Sequence, residues 1–164
     1  MFVTTSENHI WELIEKARQG NTVRMLGIGS SMSPLLKDGR DFIDLVAVNN
    51  DTPLNKNDVI FYKSHENKYV LHRIYSTSNE GYFPNGDGNL CIEPLLKRER
   101  VYLKAIGFVR KGNYISIDSI RYRFYVILWT KLLPIRAFLL RWYNRFSKVL
   151  RILKMEKMEK RGKR

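Results

Sequence analysis

The sequence predicts a mainly β domain, a curled antiparallel sheet or small barrel, preceded by a short helix and followed by a basic amphipathic helical region. Three observations carry that expectation. From Thr22 to Ile117 the chain runs in short stretches rich in Val, Ile, Phe and Tyr, separated by clusters of Gly, Asn or Asp. Residues 6–19 instead repeat apolar side chains three and four apart, which is a helical period. After Ser119 the strand signals stop, and a long-period apolar pattern interspersed with Arg and Lys takes over.

Taken in order, the first helix places Ile10, Leu13, Ile14 and Ala17 on one face, with Ser6 as its cap and Gly20 as its stop. Strands are expected at 22–28, 41–48, 58–64, 68–77, 101–110 and 113–117, the last two joined by a hairpin turn at Lys111-Gly112-Asn113. Many short strands with turn signals between them favour a curled sheet or small barrel. From Arg121 to Lys154 the chain should be helical, broken or kinked at Pro134, where a backbone donor is missing. The tail MEKMEKRGKR is charged and should fray. Two segments follow: residues 1–118 as the folded domain and 119–164 as a basic helical extension.

Charge divides at the same place. The net charge is +13, yet residues 1–118 hold 15 Lys and Arg against 14 Asp and Glu, whereas residues 119–164 hold 14 against 2. A basic excess confined to one segment describes what that segment touches, such as anionic lipid, nucleic acid or an acidic partner. Cys91 is the single cysteine, so no intrachain disulfide forms, which suits a reducing compartment. The N-terminal MFVTTSENHI has no basic stretch leading into an apolar run, so neither a signal peptide nor a membrane span is expected there. The location expected is cytoplasmic, peripheral on the inner face of the cytoplasmic membrane.

The segment most informative about chemistry is Gly27-Ile28-Gly29-Ser30-Ser31-Met32-Ser33-Pro34-Leu35, followed by Lys37-Asp38-Gly39-Arg40-Asp41. A serine on a tight, Gly-preceded turn after a strand can expose its Oγ, with neighbouring N–H groups placed to receive an oxyanion. Serine is a weak nucleophile without a base. His72, in Tyr69-Val70-Leu71-His72-Arg73-Ile74, is the base candidate; strand alternation puts it on the opposite face from Leu71 and Arg73. Asp87, in Asn85-Gly86-Asp87-Gly88-Asn89, is the candidate carboxylate to orient the histidine from its far nitrogen. Taken singly, such a serine reads as a turn residue, such a histidine as a structural one and Asp87 as a loop Asx turn. Their order and local contexts together favour catalysis. His9 and His65 lie in a helix start and a polar loop without an assigned role; Lys68, four residues before His72, should share its face of the sheet and would substitute as base only in a shifted register.

Gly-x-Ser-Met-x-Pro-Leu, then a strand carrying His-Arg-Ile, then Gly-Asp-x-Asn resembles the signal peptidase I and LexA-type serine peptidase clan, in its His-containing branch of endoplasmic-reticulum and archaeal type. The resemblance spans roughly residues 20–115. It implies the curled sheet of that clan, Ser31 as nucleophile, His72 where other branches carry lysine, and Asp87 as the acidic residue. It further implies an oxyanion hole from the Ser31 backbone N–H with the Ser30 or Gly29 region as second contributor, no metal and no cofactor. Asp58 falls where the clan reads Gly-Asp before a strand, although Asn57 precedes it here, and it reads as structural. Signal peptidases of the clan carry an N-terminal membrane anchor and LexA-type proteins a DNA-binding domain. Neither is expected in residues 1–21. The chain is therefore similar to a compact, stand-alone Bacteroidetes-type subgroup associated with leader removal from small modified peptides.

In the basic extension, Leu128, Leu132, Ile135, Leu139, Trp142, Phe146, Val149 and Leu153 alternate spacings of four and three. Such a seam packs on the protein's own sheet, on a second copy or on a membrane. Lys131, Arg136, Arg145 and Lys154 would oppose like charges in a homodimer, while Leu133, Leu140, Tyr143 and Leu150 widen the apolar face. A wide aromatic face bordered by Arg and Lys suits an anionic membrane surface across residues 120–154, with nucleic acid as the lesser partner. The functional expectation is a membrane-associated serine endopeptidase that cleaves a leader or signal-like peptide. Its alternative is a non-catalytic peptide-binding module whose basic helix recruits membrane or nucleic acid.

Overall fold

The structure, a computed structural model, describes residues 7–132 together with 135, 138 and 142. The contacts divide the chain into two compact units, Met1–Thr130 and Lys131–Arg164. The first is mainly β: a seven-stranded antiparallel sheet with two helices.

Helix α1 spans Glu7–Arg18 and buries Ile10, Ile14 and Ala17, with Leu13 partly buried against the same core. It ends before Gly20, whose φ of +89° is the left-handed conformation that stops helices. The strands are β1 (Val23–Leu26), β2 (Phe42–Ala47), β3 (Val59–Lys63), β4 (Tyr69–Ser78), β5 (Gly81–Asn85), β6 (Val101–Arg110) and β7 (Asn113–Ser116). Their order is β1-β2-β6-β3-β4-β5, with β7 on β6. Strand β2 lies along one edge of β6, so β3 at residues 101–104 and β7 at residues 107–110 share the other. The β6–β7 turn has Lys111 and Gly112 at φ +50° and +81°, the two positive angles of the hairpin turn that matches strand twist.

The sheet does not close into a barrel, because β1 and β5 end the path without pairing to each other. The outer edge of β5 is covered instead by the returning chain: Tyr82 and Leu96 exchange backbone hydrogen bonds of 2.9 and 2.7 Å, and Glu93 N–H donates to Pro84 O at 2.9 Å. Strand β5 itself was not anticipated. Its sequence GYFPN reads as a loop, since Gly, Pro and Asn are poor strand formers, and Pro84 is tolerated near the sheet edge.

The two faces of the sheet bury separate cores. The larger joins α1, Met32, Leu35 and Leu36 to Phe61, Leu71, Leu103, Phe108 and Tyr122; the smaller holds Ile60, Tyr62, Val70, Ile74, Leu96 and Val101. Both faces of β4 are therefore covered, and Tyr69 to Ile74 are buried without a break.

Helix α2 spans Ile120–Lys131 and starts at Ser119, whose Oγ accepts the Tyr122 N–H at 3.3 Å as an N-cap. It buries Tyr122 and Val126, half-buries Tyr125 and Trp129, and exposes Ile120, Phe124, Ile127 and Leu128. A boundary at 118/119 therefore separates this helix from residues it packs against. In the second unit the side chains of Ile135, Phe138 and Trp142 are exposed. Pro134, the rest of the expected seam beyond Leu132 and the charged tail lie outside the described residues. Among the described residues no helix is long and apolar enough to cross a membrane.

Candidate active site

The loop from Gly27 to Asp41 is closed on itself by its second part, Lys37-Asp38-Gly39-Arg40-Asp41. Gly27 N–H donates to Asp41 O and Gly39 N–H to Gly27 O, both at 2.8 Å, and Gly29 N–H donates to Asp38 Oδ1 at 2.8 Å. The fully buried Asp41 carboxylate accepts from Lys37 N–H, from Lys111 N–H and from both Nε and Nη2 of Arg40. Burial acts to raise its pKa, but the Arg40 guanidinium and the backbone donors outweigh that and hold it below the usual carboxylate value. Inside this frame Met32 is completely buried while Ser31 stays half exposed. The Ser-Met pair thus fixes the turn in the core by one side chain and presents the other.

A second loop backs the first. Gly88 N–H donates to Ser31 O at 2.6 Å. A Cβ on Gly86 would lie 2.5 Å from Ser31 O, and one on Gly88 would lie 2.6 Å from Ser30 O. Real Cβ atoms do not approach carbonyls so closely, so these glycines are required by backbone-to-backbone contact. The Gly-Asp-Gly-Asn box serves to dock on the serine turn.

On β4, His72 and Arg73 point to opposite faces, as alternation requires. The Ser31 Oγ–H donates to His72 Nε2 at 2.9 Å. On the other side of the ring, His72 Nδ1 hydrogen-bonds Glu93 Oε1 closely. The Tyr62 hydroxyl donates to Glu93 Oε2 at 2.6 Å and stands 3.1 Å from Nδ1. An ionised carboxylate can only accept, so Nδ1 carries the proton and Nε2 is left as the acceptor for serine. Burial, the largest influence on His72, depresses its pKa, with Glu93 opposing. Burial acts to raise the Glu93 pKa, and the His72 and Tyr62 hydrogen bonds overcome it, leaving the carboxyl below its ordinary value. Both directions describe a neutral imidazole beside a carboxylate.

Asp87 is elsewhere. Its carboxylate accepts Arg73 Nε and Nη2 at 2.8 and 2.7 Å and the Tyr125 hydroxyl at 3.1 Å, while its carbonyl accepts the Trp129 indole N–H at 2.9 Å. Arg73 spends Nη1 on Asn57 O and the Tyr122 hydroxyl. The expected Asp87–His72 pairing is corrected by this: an arginine on the opposite face of β4 takes both carboxylate oxygens, and Glu93 takes the imidazole. Glu93 escaped sequence reasoning because it lies in an irregular stretch, Asn89-Leu90-Cys91-Ile92-Glu93, with no period or Gly-rich turn to mark it. Only the pairing of residues 93–96 along β5 carries it back to His72.

Of the remaining residues, Lys68 pairs with Glu66 at the surface, His65 hydrogen-bonds Leu95 O, and Asp58 holds Lys104 at 2.9 Å. No group of three or more His, Cys, Asp or Glu side chains among the described residues could hold a metal ion. Chemically, a half-exposed hydroxyl donating to an imidazole that is itself held by a carboxylate can generate a serine nucleophile. Compared with known protein families, with curated proteins and with solved structures, the chain has no significant match.

Proposed function

We propose that the protein is a serine endopeptidase of signal-peptidase type, acting on a leader or signal-like peptide, with Ser31 as nucleophile, His72 as general base and Glu93 as the residue that orients the histidine. The observation that carries this reading is the continuous relay from Ser31 Oγ to His72 Nε2 at 2.9 Å and from Nδ1 to Glu93. In the reaction, Ser31 Oγ attacks the scissile carbonyl carbon and its proton passes to His72 Nε2. The resulting imidazolium is stabilised by Glu93 and returns the proton to the leaving amine. Water, activated by the same histidine, then releases the acyl group. The backbone N–H groups of Ser31 and Ser30 serve as the oxyanion donors in this scheme. The order of the serine, His-Arg-Ile and Gly-Asp boxes supports the signal-peptidase and LexA-type clan, and the smaller specificity of a stand-alone leader peptidase rests on the same likeness.

The partner we assign to the basic helical region is an anionic membrane surface, with the domain on its cytoplasmic side. Helix α2 turns Ile120, Phe124, Ile127 and Leu128 outward, and Arg121, Arg123 and Lys131 lie among them. Apolar side chains mixed with cations suit the lipid interface. Flotation of the full chain with anionic vesicles and not with zwitterionic ones is the expected outcome; equal behaviour with both removes this partner.

The decisive experiment incubates the protein with peptides encoded beside its gene and follows cleavage by mass spectrometry. Ser31→Ala and His72→Ala are expected each to abolish cleavage while leaving the circular dichroism spectrum unchanged. Cleavage at the original rate by either variant overturns the mechanism. No cleavage by the parent chain of any such peptide leaves the field to a non-catalytic peptide-binding module.

A further inference from the structure

Tyr62 lies in the smaller core with none of its surface exposed, and it points to the same face of the sheet as His72: Ile60 pairs with His72, and Tyr62 with Val70 one alternation further along β3. The hydroxyl proton goes to Glu93 Oε2 at 2.6 Å, because a carboxylate has none to give. The phenol oxygen, 3.1 Å from His72 Nδ1, therefore has only lone pairs to offer that nitrogen. Glu93 Oε1, on the same nitrogen, also only accepts. Nδ1 thus faces two acceptors, and the proton belongs on it. Burial, and then Glu93, push the phenol well above its ordinary pKa, so the group stays a donor.

We propose that Tyr62 is a positioning residue of this site: its hydroxyl fixes the Glu93 carboxylate against His72 Nδ1 and so holds the imidazole in the tautomer whose Nε2 is bare. Resting on the reading of the site as a serine peptidase, that bare Nε2 is the atom that receives the Ser31 proton. Glu93 needs such a holder. It comes from an irregular stretch tied by its own N–H to Pro84 O at 2.9 Å, and its flexible side chain is partly exposed. Ordering a side chain of that kind costs rotamer entropy. Tyr62 stands on a strand and shares its core with Ile60, Val70, Ile74, Leu96 and Val101, so its hydroxyl is a fixed point against which the carboxylate can be set. The partner of an orienting group then matters to the site without touching the reacting atoms.

Tyr62→Phe removes the hydroxyl and keeps the buried ring. The full chain is labelled with ¹⁵N at histidine, the His72 signals are assigned by their loss in His72→Gln, and the ring nitrogen shifts are read at a pH where the imidazole is neutral. The parent should show a protonated Nδ1 and a bare Nε2, and Tyr62→Phe a mixture of the two tautomers. Tyr69→Phe is the control: that hydroxyl is also buried but has no hydrogen-bond partner among the described residues, so its loss should leave the His72 tautomer as in the parent. With a cleaved peptide, Tyr62→Phe should lower kcat by about 10–100-fold, the scale of one hydrogen bond to a charged group, at unchanged KM. An unaltered tautomer in Tyr62→Phe, or an equal change in Tyr69→Phe, overturns the positioning role whether or not any peptide is cleaved. A tautomer that becomes mixed while kcat stays at the parent value upholds the contact and overturns His72 as the base.

Discussion

Two neighbouring residues of β4 each meet a carboxylate, and the two pairs are built for different work. His72 and Glu93 lie on the face toward Ser31, where the Glu93 side chain is 27% exposed; Arg73 and Asp87 lie on the other, with Asp87 at 1%. The first pair contains a group that can change charge near neutral pH and leaves one nitrogen for a neighbour's proton. The second contains a guanidinium whose already high pKa rises further: burial works against its charge, and Asp87 more than compensates. A buried guanidinium tied to a carboxylate can hold a loop, but a guanidinium does not give up its proton and so cannot serve as a base. Position on one strand thus separates a proton relay from a structural tie by a single residue.

That contrast can be broken most sharply at the carboxylates. Glu93→Gln should lower kcat by about 10⁴-fold, the scale seen when a triad carboxylate becomes an amide and the imidazole tautomer is lost. Its thermal unfolding should barely move. Asp87→Ala should do the reverse, costing about 3–5 kcal/mol of stability by leaving Arg73 as an uncompensated buried charge. Its activity should fall only as the folded fraction falls, measured by denaturant titration alongside turnover. If Asp87→Ala keeps its stability and loses turnover, the two pairs have been assigned to the wrong roles.

The smallest effect concerns pH. Burial lowers the His72 pKa from its ordinary 6.5, so the base is already neutral where a free histidine is half protonated. The acid limb of kcat/KM should therefore lie below pH 6.5 and not above it. The sign for stability agrees: a depressed folded pKa means the unfolded chain binds the proton first, so stability is full above 6.5 and is lost as pH falls through the folded value. An acid limb above 7 would show that Glu93, which acts to raise the pKa, outweighs burial.

Much of this arrangement was readable in local pattern. The α1 face, the six anticipated strands, the Lys111-Gly112 turn and the separation of His72 from its neighbours all follow from periods of 3.6 and 2 and from turn chemistry. The serine turn was readable because Gly29, Ser31 and Met32 act within one short stretch. Strand β5 was not, because Gly81, Pro84 and Asn85 have loop propensity and pair only when β4 and the returning chain supply partners. Nor was α2 as part of the domain: its charge resembles that of the extension, yet Tyr122, Tyr125 and Trp129 bind Arg73 and Asp87.

The sequence by itself determined which side chains are chemically able to act and which faces of their own elements they occupy, since both depend on residue type and backbone period. Tertiary structure alone decided which carboxylate meets the imidazole. Asp87 and Glu93 are both reachable along the chain from His72. The choice was made by Arg73, which takes Asp87 on one face of β4, and by the backbone bonds of residues 93–96 along β5, which set Glu93 on the other.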